Sequence, residues 1–272
     1  MNPTARHSHK FCAFLFIAGT ILFSSCGKLM DKAVRSMVEV AVSHDYTDSE
    51  KWGKVVTVDL PAMAFHEADL QGAVRLEYTQ DSIYSLQICG NEKAIDAYSI
   101  SVDDEELEAF LKDGSSKVNS DTPAITLRIT APYLSEIKGS GVSEVIFMDS
   151  VSQTKGLDVS MAGVGRLAIG TLQVPELDVT ITGAGGASLS DVRCTGDVEI
   201  ELQGAAYVED SRIECQKLEL KAEGAAGARL NIHTMKTKVK ASGASHITLT
   251  GETHSIEKIA SRASKVQTDG LK

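Results

Sequence analysis

The chain has 272 residues, with 37 acidic against 27 basic side chains and a formal net charge of −10. That balance argues against a nucleic-acid partner, because a surface so acidic repels phosphate. After the first 25 residues no apolar stretch reaches the roughly 20 residues that a spanning helix needs, so a second helical anchor is excluded too.

The N-terminus has the layout of an export signal. Arg6 and Lys10 form a basic start, and Phe11 to Phe23 is an uncharged apolar run. Phe23-Ser24-Ser25-Cys26 then reads as a lipobox, with Phe where Leu is more usual. Residues 1–25 are expected to be removed and Cys26 to carry diacylglycerol and further acyl chains such as palmitate. Loss of Arg6 and Lys10 takes the mature charge to −12, 25 basic against 37 acidic. Two or three acyl chains anchor a protein stably where one does not. The expected location is the envelope of a Gram-negative bacterium, at the outer membrane.

Residues 26–53 are expected to form a tether. Met30, Ala33, Val34, Met37, Val38, Ala41 and Val42 follow helical spacing, as a short amphipathic helix would. From residue 54 to 272 the pattern is extended. Within 54–138 strands are expected around Val56–Leu60, Val74–Tyr78, Tyr84–Ile88, Ser99–Val102 and Ile125–Ile129. Leu107, Phe110 and Leu111 suggest a helical turn, and 112–123 a polar loop.

From 139 to 272 the chain repeats. Gly139, Gly163, Gly183, Gly204, Gly224 and Gly243, each with small neighbours, recur every 19 to 24 residues. Before each corner residues alternate, as in Leu157-Asp-Val159-Ser-Met161 and Leu177-Asp-Val179-Thr-Ile181. Period-two alternation means a strand with one wet face, and a period near twenty fits one coil of a solenoid. The expected fold is all-β, a single-stranded right-handed parallel β-helix. Stacked coils put equivalent residues in columns about 4.8 Å apart. The glycines share the inward parity and mark a corner with no room for Cβ or with positive φ.

The columns supply the candidate sites. Eleven residues after each glycine stand Val174, Cys194, Cys215 and Met235, expected inside. Cys194 and Cys215 become neighbours one coil apart, either as a disulfide or as two packed thiols. One residue after each glycine stand Val164, Ala184, Ala205, Ala225 and Ala244, a small outward stripe that suits an interface or merely permits the corner. Asp158, Asp178, Glu199, Glu219, Lys238 and Glu257 form an outward column five before each corner, with Lys221 and Lys240 diagonally near, and read as a solvated face. His233, His246 and His254 fall at different column positions. No metal site, cofactor site or catalytic constellation is expected: there is no zinc spacing, nucleophile elbow or dinucleotide motif.

These features resemble a known family. Leu60-Pro61 with Phe65, Gly90-Asn91-Glu92, Ala131-Pro132-Tyr133-Leu134-Ser135-Glu136-Ile137 and the Ser-Gly corners are similar to bacterial lipoproteins of the putative auto-transporter adhesin, head GIN domain family. Later corners depart from it, softening to Gly-Ala-Ala and Gly-Ala-Ser. The resemblance implies a β-helix on an exported protein and no catalytic residues. The expected function is a non-enzymatic envelope module, adhesin-like or structural, with a protein or glycan partner. The alternatives are a carbohydrate-active enzyme on the same fold, which needs a cleft with acids and a base, and an envelope sensor.

Overall fold

The computed structural model describes residues 49–272 except positions 62, 115–117, 119–121 and 262. Cys26 and the expected helix over Met30–Val42 lie outside the described residues. The rest is a parallel β-helix of about seven turns, its strands joined in one sheet.

Alternation drives the coiling. After the two-residue β8 (Val151–Ser152), in β9 (Leu157–Val174), β10 (Leu177–Gly183), β11 (Gly186–Cys194), β12 (Asp197–Gly204) and β13 (Tyr207–Gly224) the apolar residues of each coil stack on their equivalents. Leu157, Leu177, Val198 and Leu218 are in register and buried, as are Val159, Val179, Ile200 and Leu220. Thr237 of β14 (Gly227–Ala241) ends the first row and Val239 the second. Each fully buried aliphatic side chain contributes about 1.5–3 kcal/mol, and in-register stacking lets one interior column run the length of the solenoid.

The coils do not stack in chain order at the N-terminal end. β2 (Glu67–Gln80) pairs in parallel with β7 (Glu136–Phe147) on one side, and with β5 (Glu106–Leu111) and β6 (Ala124–Ala131) on the other. The chain therefore lays down β2, leaves to build the terminal coil, and returns beneath its starting point. The excursion caps the solenoid with antiparallel strands: β4 (Tyr98–Asp103) on β5, β3 (Ser85–Asn91) on β6, and β1 (Val55–Leu60) on β3. Two short helices, α1 (Ser49–Trp52) and α2 (Glu92–Asp96), complete the cap, and α2 buries Ala94. The expected strands of this region are present. The expected helical turn is not: Leu107, Ala109 and Leu111 alternate inward along β5. The apolar pair Phe110-Leu111 suggested helical spacing, but pairing with β2 and β4 decides for strand.

The corners are built on glycine. Gly72, Gly141, Gly163, Gly183, Gly204, Gly224 and Gly243 all have positive φ, and they stack on one another coil by coil; the first corner of the repeat is therefore Gly141 and not Gly139, which pairs with Met161 and is buried. The corner glycines are not inward. Positive φ breaks the alternation, so Ala162, Gly163 and Val164 in succession stay out of the core before Gly165 turns in. A Cβ on Gly204 would meet the Gly183 carbonyl oxygen at 2.6 Å. The stripe follows from the same ladder: Ala184, Ala205, Ala225 and Ala244 each donate their N–H to the glycine carbonyl of the preceding coil, at 2.8 Å. Val164, Ala184, Ala205 and Ala225 are half-exposed and Ala244 is exposed.

Candidate functional site

The sulfur column is real over two coils and then ends. Cys194 pairs with Val174, and the adjacent pair Arg193 and Glu214 puts Cys215 next in line. Both cysteines are buried and both are free thiols. Cys194 Sγ donates to the carbonyls of Pro175 and Asp197, at 2.9 and 3.2 Å. Burial raises both thiols above their usual range, Cys215 to about 12, with the other thiol adding to the rise. Cys215 pairs with Thr234, not with a residue equivalent to Met235. A register shift between Val208 and Ser211 shortens that coil step by one residue, and Met235 stands exposed. Counting eleven from the corner fails there because a strand irregularity is invisible to a fixed count. Thr234, Thr237 and Thr253 continue the interior instead, tied in a hydroxyl triangle of 2.7 to 3.0 Å.

Cys194, Cys215, His233 and Thr234 line a small groove of about 250 Å³. Raised thiols are poor nucleophiles, because the thiolate is the reactive form. Iodoacetamide at about pH 8 is therefore expected to leave Cys194 and Cys215 unmodified in the native chain and to label them on denaturation. Peptide mass mapping reads this directly, and rapid native labelling of Cys215 would mean that the column is open.

The outward acid column is longer than its repeat. Glu106, Glu67, Glu136, Asp158, Asp178, Glu199 and Glu219 stand on seven successive strands, followed by Lys238 and Glu257. The first three lie in the stretch without a repeat. Lysines answer the ends of the run. Lys138 binds Glu136 at 2.9 Å, Lys221 binds Glu199, and Lys240 binds Glu219 at 2.9 Å. Hydrogen bonding from Lys240 holds the Glu219 carboxyl below its usual range. Partial burial raises Asp158 and Asp178, and the neighbouring acids raise them further.

A larger concavity lies elsewhere. A groove of about 710 Å³ runs over the outer face of the cap, where β1 and β3 extend the sheet past β6. Leu60, Leu86 and Met148 supply apolar lining, and Tyr84 sits half-buried edge-on to Phe65. Asp59 accepts from Gln87 at 2.8 Å and Glu77 accepts from Arg128 at 2.9 Å, so the polar groups are fixed in place. Sequence periodicity had no means of finding this groove, because antiparallel pairing of β1 with β3 and of β3 with β6, together with parallel pairing of β2 with β6, brings together residues 28 to 51 apart. No group of three or more His, Cys, Asp or Glu with metal-holding geometry occurs among the described residues.

The family model described as "Putative auto-transporter adhesin, head GIN domain" matches residues 64–204. The chain belongs to this family. The return of β7 onto β2 and the corner glycines from Gly72 to Gly204 lie within the matched residues, and Gly224 and Gly243 continue the ladder beyond them. Among solved structures the chain is similar to a putative adhesin from Bacteroides fragilis, at 22% identity and a TM-score of 0.60, covering 79% of this chain and 96% of that one. A putative adhesin from Parabacteroides distasonis matches at 16% identity and a TM-score of 0.55, covering 79% and 97%. Another protein from that organism, described as a putative lipid binding protein, matches at 16% and 0.52, covering 79% and 98%. These likenesses show a common fold. No curated protein matches the chain.

Proposed function

We propose that this head GIN protein is a non-enzymatic, lipid-anchored module of the bacterial envelope that binds a glycan or protein in the groove over its cap. The groove carries the reading. It combines an aromatic edge, an apolar floor and pre-paired polar groups, the mix that fixes a ligand's orientation without chemistry. The adhesin descriptions of the family and its structural relatives support a binding role. The lipobox at Cys26 supplies the anchor, at the outer membrane of a Gram-negative cell.

Two measurements test it. Metabolic labelling with palmitate should mark the wild-type chain and miss Cys26→Ala, which should stay as a precursor in the inner membrane. A variant that matures and fractionates unchanged rules out the anchor. On a glycan array and a panel of envelope proteins, Tyr84→Ala and Arg128→Ala should each weaken retention about tenfold, as expected for truncating a contact residue. Release of shortened glycan products by the wild type would instead make the protein an enzyme.

A further inference from the structure

The outer face of β10, β12, β13 and β14 changes sign along the solenoid. Three outward columns are in register across it. The central one runs Asp178, Glu199, Glu219, Lys238. On one flank Asp197 is followed by Lys217 and Lys236, with Glu176 one residue before β10. On the other flank Glu201 is followed by Lys221 and Lys240. Acids therefore dominate the β10 and β12 half and lysines the β13 and β14 half, where Glu219 is the exception in these columns. The middle is neutralised internally: Lys217 reaches Asp197 at 3.3 Å, Lys221 reaches Glu199, and Lys240 reaches Glu219. The outer parts are not. Among the described residues, Glu176 and Asp178 have no lysine or arginine within salt-bridge distance, and Lys236 and Lys238 have no acid. Partial burial raises the Asp178 carboxyl, and the facing Asp158, Glu176, Glu199 and Asp197 raise it further.

We propose that this face is an interface between two copies of the chain, related by a two-fold axis that lies in the plane of contact, parallel to the strands, between β12 and β13. The rotation reverses the coil direction and keeps the strand position. It lays Asp178 on Lys238 of the other copy, Glu176 on Lys236, Asp197 on Lys217, and Glu201 on Lys221, each twice by symmetry. The unanswered acids Glu176 and Asp178 thus meet the unanswered Lys236 and Lys238. Two like-charged meetings remain. Glu199 lies over Glu219, but both already hold lysines. Asp158 lies over Glu257 at the rim, where water screens them.

Size permits such a contact. Six strands about 4.8 Å apart and about 20 Å long give a face of roughly 600 Å² per copy. Two such faces bury on the order of 1,200 Å², the lower end for a specific interface. Self-complementary patches are what a two-fold contact requires. Opposite-sign patches favour encounter and fix register.

The test is the mass of the full-length chain in mild detergent, by light scattering corrected for detergent, at low and high salt. The expected result is a dimer at low salt that dissociates at high salt. Asp178→Lys and Lys238→Asp should each weaken association about tenfold or more. The double variant Asp178→Lys with Lys238→Asp should restore it, since the swap rebuilds the same pairs. Thermal melting of each variant separates loss of association from loss of fold. A monomer at low salt overturns the proposal, as does a dimer indifferent to either single reversal or a double variant that is not rescued.

Discussion

Gly204→Val is expected to destabilise the chain by about 3–5 kcal/mol, enough to leave a marginally stable domain largely unfolded at 37 °C. Two costs add. Gly204 has φ +89, and holding a β-branched residue in that region costs about 1–3 kcal/mol. Its Cβ would meet the Gly183 carbonyl oxygen at 2.6 Å and further Gly183 backbone atoms at 3.4 Å. Backbone cannot rotate away as a side chain can, so relief requires opening the corner. Opening it also breaks the bond from Ala205 N–H to that same carbonyl. Gly170→Ala is the control, because nothing lies within 4 Å of its Cβ and its φ is ordinary. Chemical denaturation of both variants reads the difference. A Gly204→Val protein within about 1 kcal/mol of wild type would mean that the corner does not depend on glycine.

Tyr98→Ala should cost about 3–5 kcal/mol, and Tyr98→Phe about 1–3 kcal/mol. In a regular coil the corner is a short turn stacked on its neighbours. The terminal coil lacks one, because the chain detours between β5 and β6. The Tyr98 phenol fills that place. Ala73 N–H donates to its oxygen at 2.8 Å, and its hydroxyl donates to the Pro123 carbonyl at 2.9 Å. The ring lies against Gly72, whose Cβ, if it had one, would meet the phenol oxygen at 2.7 Å. Phenylalanine keeps the ring and orphans the Ala73 donor and the Pro123 acceptor; alanine also leaves a cavity. Burial pushes the phenol up to about 12, the Ala73 bond opposing it only in part. Since the folded value exceeds the unfolded value of 10.0, the neutral ring's contribution is complete below pH 10 and is lost as pH rises towards 12. Wild type should lose stability across that window, and Tyr98→Phe should lose less. Equal slopes would assign the alkaline loss to other groups.

Glycine spacing and alternation carried the coil architecture from 139 onward, because each coil repeats one set of physical demands: apolar inside, polar outside, no Cβ at the corner. The same regularity misled at Met235. A single-residue irregularity near Ser211 moved Thr234 into the column and Met235 out of it. Inward glycines were likewise a consequence of extrapolating strand parity through a positive φ, where parity does not hold.

The cap was legible only as separate strands. That β2 would pair with β7 across 69 positions, and that β3 and β4 would run antiparallel, depends on contacts between segments with no shared pattern. The groove over β1, β3 and β6 and the extension of the acid column through Glu106, Glu67 and Glu136 are products of that pairing.

The sequence by itself determined the solenoid, its period, its glycine corners and the adjacency of Cys194 and Cys215, since local alternation and a repeated count fix all four. Only the tertiary structure decided which coil is terminal, where the columns slip, and which charges face one another across neighbouring strands, because strand register is set by packing summed over whole coils and not by the residues of any one.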